Sequence, residues 1–225
     1  MRREPVITID GPAGAGKSTV ARELAQRLGY RYLETGAMYR AMAWKVRRAG
    51  VGPEALEEFE RVVRSTQVEI TPSGRVMADG QDITEAIRAP EIGALASRLS
   101  ALPVVREVLT RLQRQVAEGG GVVLEGRDTG SVVAPDAEAK FYLDASLEAR
   151  AERRARDLAG QGRRVAMACV TKELSERDQA DSSRSLAPLV RPKGALYVDC
   201  SSLSAAEVVE LMLGEIERVR CSMRS

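Results

Sequence analysis

The sequence predicts an α/β fold built on a parallel sheet with helices on both faces. Three observations predict it. The apolar run Val6-Ile7-Thr8-Ile9-Asp10 passes straight into the glycine-rich stretch Gly11-Pro12-Ala13-Gly14-Ala15-Gly16-Lys17-Ser18. Further short apolar runs recur along the chain. Stretches of helical periodicity separate them, and strands joined by helices make crossover connections, which give parallel pairing.

The elements follow in order. After the first strand, Val20, Leu24 and Leu28 recur at i, i+4 and i+8 with Ala21 and Ala25 beside them, predicting an amphipathic helix that ends at Gly29. A strand is expected over Tyr30 to Leu33, a second helix from Glu34-Thr35-Gly36 to near Gly50, and another over Glu54 to Arg64. Residues Gln67 to Gln81 read differently: Val68 and Ile70 alternate with polar residues, and Pro72-Ser73-Gly74 makes a turn. A small β-hairpin is expected there. Helices return over Thr84 to Leu102 and over Val104 to Ala117, the latter with Val105, Val108, Leu109, Leu112 and Val116 on one face. Strands are expected over Val122 to Gly126, Ala139 to Leu143 and Ala195 to Asp199. The last helix is expected to bury Val208, Leu211, Met212, Ile216 and Val219.

The stretch Gly11 to Ser18 is G-x-x-x-x-G-K-S, placed between a strand and a helix as that motif requires. Glycines let the backbone curl so that several N–H groups converge on phosphate oxygens. Lys17 is placed to reach β- and γ-phosphates, and Ser18 to ligate Mg²⁺. The helix starting near Lys17 adds its positive end.

Composition removes several alternatives. The chain has 225 residues, enough for one domain with a proper core, and a formal net charge of +2 that argues for neither nucleic-acid nor membrane binding. There is no histidine, which removes every imidazole-based mechanism. The three cysteines, Cys169, Cys200 and Cys221, are scattered and fit a reducing compartment better than a zinc site. No apolar run has the length of a membrane span. The strand starting at residue 6 leaves no room for a signal peptide before it, so a cytoplasmic location is expected.

Most of the basic residues are arginine, whose planar fork grips phosphate with two bonds. They gather in loops and at strand ends, where open α/β sheets place their sites. Thr35, Tyr39 and Arg40 follow the second strand, Arg106 follows Pro103, and Glu125, Arg127 and Asp128 follow the third predicted core strand. Arg150, Arg153 and Arg154 would share one helix face, as would Arg177, Asp181 and Arg184. Such clusters are ordinarily solvated faces. Thr35-Gly36 could equally be a helix cap and a tight turn, and Tyr39 a packing aromatic or a site wall.

Several phrases together resemble bacterial cytidylate kinases, within the nucleoside monophosphate kinases. They are Val6 to Pro12, Thr35-Gly36-Ala37-Met38-Tyr39-Arg40 and Gly126-Arg127-Asp128-Thr129-Gly130, then Pro135-Asp136-Ala137, Phe141 to Ser146, Glu176-Arg177-Asp178 and Ala187-Pro188-Leu189. The resemblance covers nearly the whole chain, roughly residues 5 to 217, in one consistent order. The resemblance implies a P-loop NTPase fold with a five-stranded parallel core. It implies a single domain over 1–225, with core segments 1–65, 100–155 and 185–225. The nucleoside monophosphate (NMP)-binding insert would lie near 66–99 and a mobile lid near 155–184. The implied reaction is ATP plus CMP or dCMP giving ADP plus CDP or dCDP, by a cytoplasmic monomer.

The resemblance also assigns roles. Gly11, Pro12, Ala13, Gly14, Ala15, Gly16, Lys17, Ser18 and Thr19 would hold ATP. Thr35, Arg106 and Asp128 would contact cytosine, with Tyr39 beside them, while Arg40 and Arg127 would grip the acceptor phosphate. Ser97 and Asp181 would lie near the ribose, and Arg184 at its phosphate end. Lys17, Arg154 and Arg177 would carry catalysis by clamping the transferring group. Ser18 would ligate Mg²⁺, and Glu125 would hold it through water. Glu34-Thr35 stands where the family often has Asp-Ser, and Gln161 to Cys169 is too loose to match residue by residue. Two other readings remain open: a kinase for another small acceptor, and a nucleotide switch or motor. The latter lacks an N-K-x-D guanine reader and a basic stripe.

Overall fold

The structure is a computed structural model describing residues 3–160 and 162–224. Met1, Arg2 and Ser225, which the expected domain span includes, and Gln161, which the expected lid includes, lie outside the described residues.

Strand β1 (Val6–Asp10) is buried along its whole length, as a parallel strand covered on both faces should be. It runs into α1 (Lys17–Leu28), which ends on Gly29 in the left-handed conformation. Strand β2 (Arg31–Glu34) leads directly into α2 (Thr35–Ala49), closed by left-handed Gly50, and α3 (Leu56–Ser65) follows. Helix α2 begins at Thr35 itself with no side-chain cap bond, and Gly36 is a helical residue with ordinary φ. Neither the cap nor the tight turn is present.

The expected hairpin is a three-stranded antiparallel sheet: β3 (Val68–Ile70), β4 (Val76–Ala78) and β5 (Gln81–Asp82). Asp79 and Gly80 both have positive φ, 49° and 78°, which suits the two-residue turn that adds the third strand. The single helix expected over 84–102 is divided into a 3₁₀ turn (Ala86–Arg88) and α4 (Pro90–Leu99). Pro90 removes an N–H and holds Ala89 extended, with ψ 133°, so a helix cannot run through it. Pro103 opens α5 (Pro103–Glu118) in the same way.

The rest of the core is β6 (Val122–Gly126), a π-type turn (Thr129–Val133), β7 (Ala139–Asp144), α6 (Leu147–Gly160), α7 (Met167–Ser183), β8 (Leu196–Asp199) and α8 (Ala205–Arg224). The main sheet has the order β2-β6-β1-β7-β8, every pair parallel. Alternate side chains feed two cores. Val6, Leu33, Val122 and Leu124 face α2 and α5, whereas Ile7, Ile9, Val123, Phe141 and Leu143 face α1 and α8. A third, small cluster joins α6 to α7. On α8 the buried stripe runs through Val208, Val209, Met212 and Ile216, and Leu211 is 43% exposed. The inward place expected for Leu211 belongs to Val209, because a stripe centred on Met212 turns residue 211 about 100° away. Among the described residues no helix is long and apolar enough to cross a membrane.

Gly11 fixes how β1 leaves the sheet. Its φ is 146°, and a Cβ there would stand 1.9 Å from the Leu143 carbonyl oxygen. That oxygen belongs to the neighbouring strand and cannot move without disturbing β1–β7 pairing. Gly11→Ala is therefore expected to cost ~3 kcal/mol or more. Thermal unfolding should show the midpoint down by ~6 °C or more for a chain of this size. A drop under ~2 °C would mean that β7 yields to the methyl group.

Candidate active site

The carboxyl ends of the parallel strands open on a cleft of about 2600 Å³. Residues Ala13 to Thr19 line it at the ends of β1 and α1, whereas Gly11 and Pro12 do not. Gly14 and Gly16 have φ of 77° and 91°, the left-handed turns that curl the loop. Lys17 is 5% exposed, and its ammonium donates to the Pro12 carbonyl oxygen at 2.7 Å. Burial, and then the Arg127 charge, push its pKa well below the ordinary lysine range. An anion with several charges is the natural partner for such a loop.

Glu125 stands at the end of β6, opposite Glu34 in the parallel register with β2. Its Oε1 accepts from Ser18 Oγ at 2.8 Å and from the Tyr32 phenol at 3.4 Å. Burial raises the Glu125 carboxyl, the nearby Lys17 opposes that shift, and Glu34 adds to it. Among the described residues there is no group of three acidic, cysteine or histidine side chains able to hold a metal. One hydroxyl and one carboxylate suit Mg²⁺ carried on phosphates, because that ion keeps several waters and takes few protein ligands.

Past β6 the chain forms the other wall. Asp10, at the end of β1, accepts from the Thr129 N–H and Oγ1, both at 2.8 Å, and from the Gly130 N–H at 2.7 Å. These bonds fix the segment that carries Arg127 and Asp128 into the cleft. Asp128 pairs with Arg106, whose Nη1 also donates to the Ser100 carbonyl oxygen at 3.1 Å. The Arg106 guanidinium lies 5.9 Å from the Tyr39 ring centroid, so Tyr39 is both wall and packing. Burial, then Asp128, raises the Tyr39 phenol to about 12. Thr35 donates its hydroxyl proton to the Glu125 carbonyl oxygen at 2.8 Å and keeps lone pairs to accept with.

Arg127 Nε meets Asp181 Oδ2 at 2.8 Å, and Arg184 Nη1 lies 3.6 Å from the other oxygen of that carboxylate. The Arg184 Nη2 is buried without a hydrogen-bond partner among the described residues. Ser97 lines the cleft on α4 and Arg40, on α2, pairs with Glu34. Arg154 and Arg177, on α6 and α7, also face the cleft. Neither has a carboxylate within ion-pair distance among the described residues. Desolvation within the cleft, then the Arg127 charge, lower Arg177 to about 10. All the expected site residues except Gly11 and Pro12 thus line one cleft. Sequence reasoning missed Asp10, Tyr32 and Ser100 as supports. Only Asp10 carried a signal, a buried-strand acid immediately before the glycine-rich loop.

A family model described as "Cytidylate kinase" matches residues 7–218. The chain is 47% identical over 212 residues to the cytidylate kinase of Caldanaerobacter subterraneus subsp. tengcongensis, covering 94% of each chain. It is 46% identical over 224 residues to that of Pelotomaculum thermopropionicum, covering 98% of this chain and 99% of the relative. Among solved structures, an uncharacterized protein from Eubacterium ventriosum shares the fold, with TM-score 0.53 and 10% identity over 95% of this chain and 99% of the other.

Burial raises the Asp10 carboxyl to about 6, against the opposing pull of its bonds from Gly130 and Thr129. The folded chain then holds that proton more tightly than the unfolded one. Its contribution to stability is greatest below the unfolded value near 3.8 and is lost as pH rises through about 6. Asp10→Asn cannot titrate. Parallel urea melts should show wild type gaining on the variant by on the order of 2–3 kcal/mol from pH 7 down to pH 4. A constant difference would place Asp10 in the ordinary carboxylate range.

Proposed function

The chain belongs to the cytidylate kinase family, and from that premise we propose that it transfers the γ-phosphoryl group of ATP to CMP and dCMP through an arginine clamp. The observation that carries this reading is a pattern of charge pairing. Arg40, Arg106, Arg127 and Arg184, on the acceptor side, each have a carboxylate partner. Lys17, Arg154 and Arg177 have none within ion-pair distance among the described residues. Other arginines of the cleft, Arg22, Arg98, Arg153, Arg156 and Arg163, are also without a carboxylate partner among the described residues. Of these unpaired cations, Lys17 and Arg177 are the two whose charge is pushed down by burial and by neighbouring cations, and Arg154 is one of those neighbours of Arg177.

The donor phosphates lie in the loop from Gly11 to Thr19, with Gly11 and Pro12 shaping it from behind. Ser18 would hold Mg²⁺ directly and Glu125 through water. The bound ion supplies charge neutralisation on the donor phosphates. Phosphoryl transfer asks the protein chiefly for positioning and positive charge. Lys17, Arg154 and Arg177 supply that charge where it spreads over the transferring oxygens.

On the acceptor side, Arg106 donates to the carbonyl edge of cytosine, and Asp128 and the Thr35 lone pairs accept from its amino group. Arg40 and Arg127 hold the phosphate. Ser97 and Asp181 lie at the ribose, and the unpartnered Arg184 Nη2 reaches the acceptor. The insert over 66–99 closes this side, and α6–α7 forms the lid that excludes water.

An ADP-release assay with ATP and Mg²⁺, run against CMP, dCMP, UMP, AMP and GMP, tests the reading. Fast turnover is expected with CMP and dCMP; equal rates on AMP would remove the base-reading role from Arg106 and Asp128. Arg106→Met should lower kcat/KM for CMP by ~10–100-fold with KM for ATP unchanged, the loss expected for one charged hydrogen bond.

The depressed Lys17 makes a separate prediction. Nucleotide phosphates favour its charged form, so binding of metal-free ATP at pH 8 should take up protons. Calorimetry in two buffers of different ionisation enthalpy measures the uptake, and Lys17→Met should abolish it. Zero uptake by wild type would mean that Lys17 is fully charged beforehand.

A further inference from the structure

Ala13, in the middle of the phosphate loop, is held by the lid helices at every group it has. Its N–H donates to Asp178 Oδ1 at 3.2 Å, and its carbonyl oxygen accepts from Arg150 Nη1 at 3.1 Å. Arg150 and Asp178 form an ion pair with each other, linking α6 to α7. Arg150 Nε also donates to the Ala145 carbonyl oxygen at 2.9 Å, which anchors the guanidinium at the end of β7. The Ala13 methyl is buried in the small α6–α7 core, against Ala151, Leu158, Val170 and Leu174. The next residue, Gly14, sits so close to α6 that a Cβ would lie 3.2 Å from Arg150.

The pair differs from an ordinary surface salt bridge. Its side chains are 9% and 21% exposed, and together they use both polar groups of one loop residue. Its position along the helices matters as much. Arg150 precedes Arg154 by one turn of α6, and Asp178 directly follows Arg177 on α7. Whatever fixes Arg150 and Asp178 to the loop therefore also fixes where the two guanidinium groups approach it.

We propose that Arg150 and Asp178 are positioning residues that lock the lid helices to the phosphate loop through Ala13 and so set Arg154 and Arg177 on the transferring phosphoryl group. This rests on the clamp reading of those two arginines. Neither residue of the lock needs to touch a nucleotide; it acts by holding the clamp within the tolerance of the reaction. A misplacement of ~1 Å can cost on the order of 10²-fold in rate.

Steady-state kinetics and thermal melts of Asp178→Ala, Asp178→Asn and Arg177→Met separate the possibilities. Asp178→Ala removes the ion pair and the acceptor for the Ala13 N–H. It should lower kcat by on the order of 10²-fold with KM for CMP within ~2-fold of wild type, assayed well below its own melting temperature. Asp178→Asn keeps an acceptor oxygen and the shape but loses the charge, and its kcat should fall between the two. It also stands in for the alanine variant if that one does not fold. Arg177→Met tests the clamp itself and should lose on the order of 10²-fold in kcat. If Arg177→Met loses that rate while both Asp178 variants keep kcat within ~3-fold of wild type, the lock is overturned and the clamp stands. If Arg177→Met keeps its kcat, the clamp reading fails and the lock with it. A lower melting temperature in the Asp178 variants with kcat unchanged would reduce the pair to a stabilising contact and overturn the proposal.

Discussion

Like charges crowd one cleft, and this repulsion is the constraint to which the rest of the site answers. Lys17, Arg40, Arg127, Arg154 and Arg177 all face the same space. Arg177 feels Arg127, Arg40 and Arg154, while Lys17 feels Arg127 and Arg177. The fold offsets part of this with Glu34 on Arg40 and Asp181 on Arg127. It does so by distributing acids over α7 and the ends of β2 and β6. The remaining field stays uncompensated, since Lys17, Arg154 and Arg177 have no carboxylate partner within ion-pair distance among the described residues; the proposed phosphate-binding role would need such cations kept free. Binding energy from polyanionic substrates then offsets a cost already present in the folded chain.

The sheet order makes this crowding possible. Strand β1 is central, and β6 and β7 flank it in parallel. Every loop that leaves the carboxyl edge therefore rises on the same side, within reach of the phosphate loop. The parallel register sets Glu34 beside Glu125 and Asp10 beside Gly126. An antiparallel partner for β1 would send either the Arg127–Asp128 segment or α6 to the opposite end.

Much of this is legible in the sequence where one stretch of chain decides the matter. Val20, Leu24 and Leu28 mark α1 by spacing alone, and Gly29 and Gly50 mark helix ends. The loop from Gly11 to Ser18 is legible because its chemistry is consecutive. Pro90 is also written plainly, and the split of the predicted 84–102 helix follows from it. Asp79-Gly80 signals the third insert strand, but that strand is two residues long and gives no alternation to read. The resemblance brings Arg106 and Asp128, 22 residues apart, to one base; that they pair with each other is seen only in the structure. Nothing local could connect Arg150 to Asp178, or Asp10 to Thr129. Such contacts depend on register, crossover length and the angle between two helices, and none of these has a sequence period.

The two ties least legible in the sequence converge on one short segment. Asp10 fastens the loop that carries Arg127 and Asp128 through Thr129 and Gly130. Three residues later, Ala13 is fastened to α6 and α7 through Arg150 and Asp178. Between them, Gly11 is pressed against β7, and the Pro12 carbonyl oxygen holds the Lys17 ammonium. Residues 10 to 13 thus serve as the common reference for the Arg127–Asp128 wall, for Lys17 and for the α6–α7 pair. On the proposed reading, in-line transfer needs the acceptor, the phosphoryl group and the clamp aligned together, and independent loops would add their positional errors. Hanging all three from one four-residue segment at the end of the most buried strand makes those errors move together, because a shift of the segment carries each partner with it.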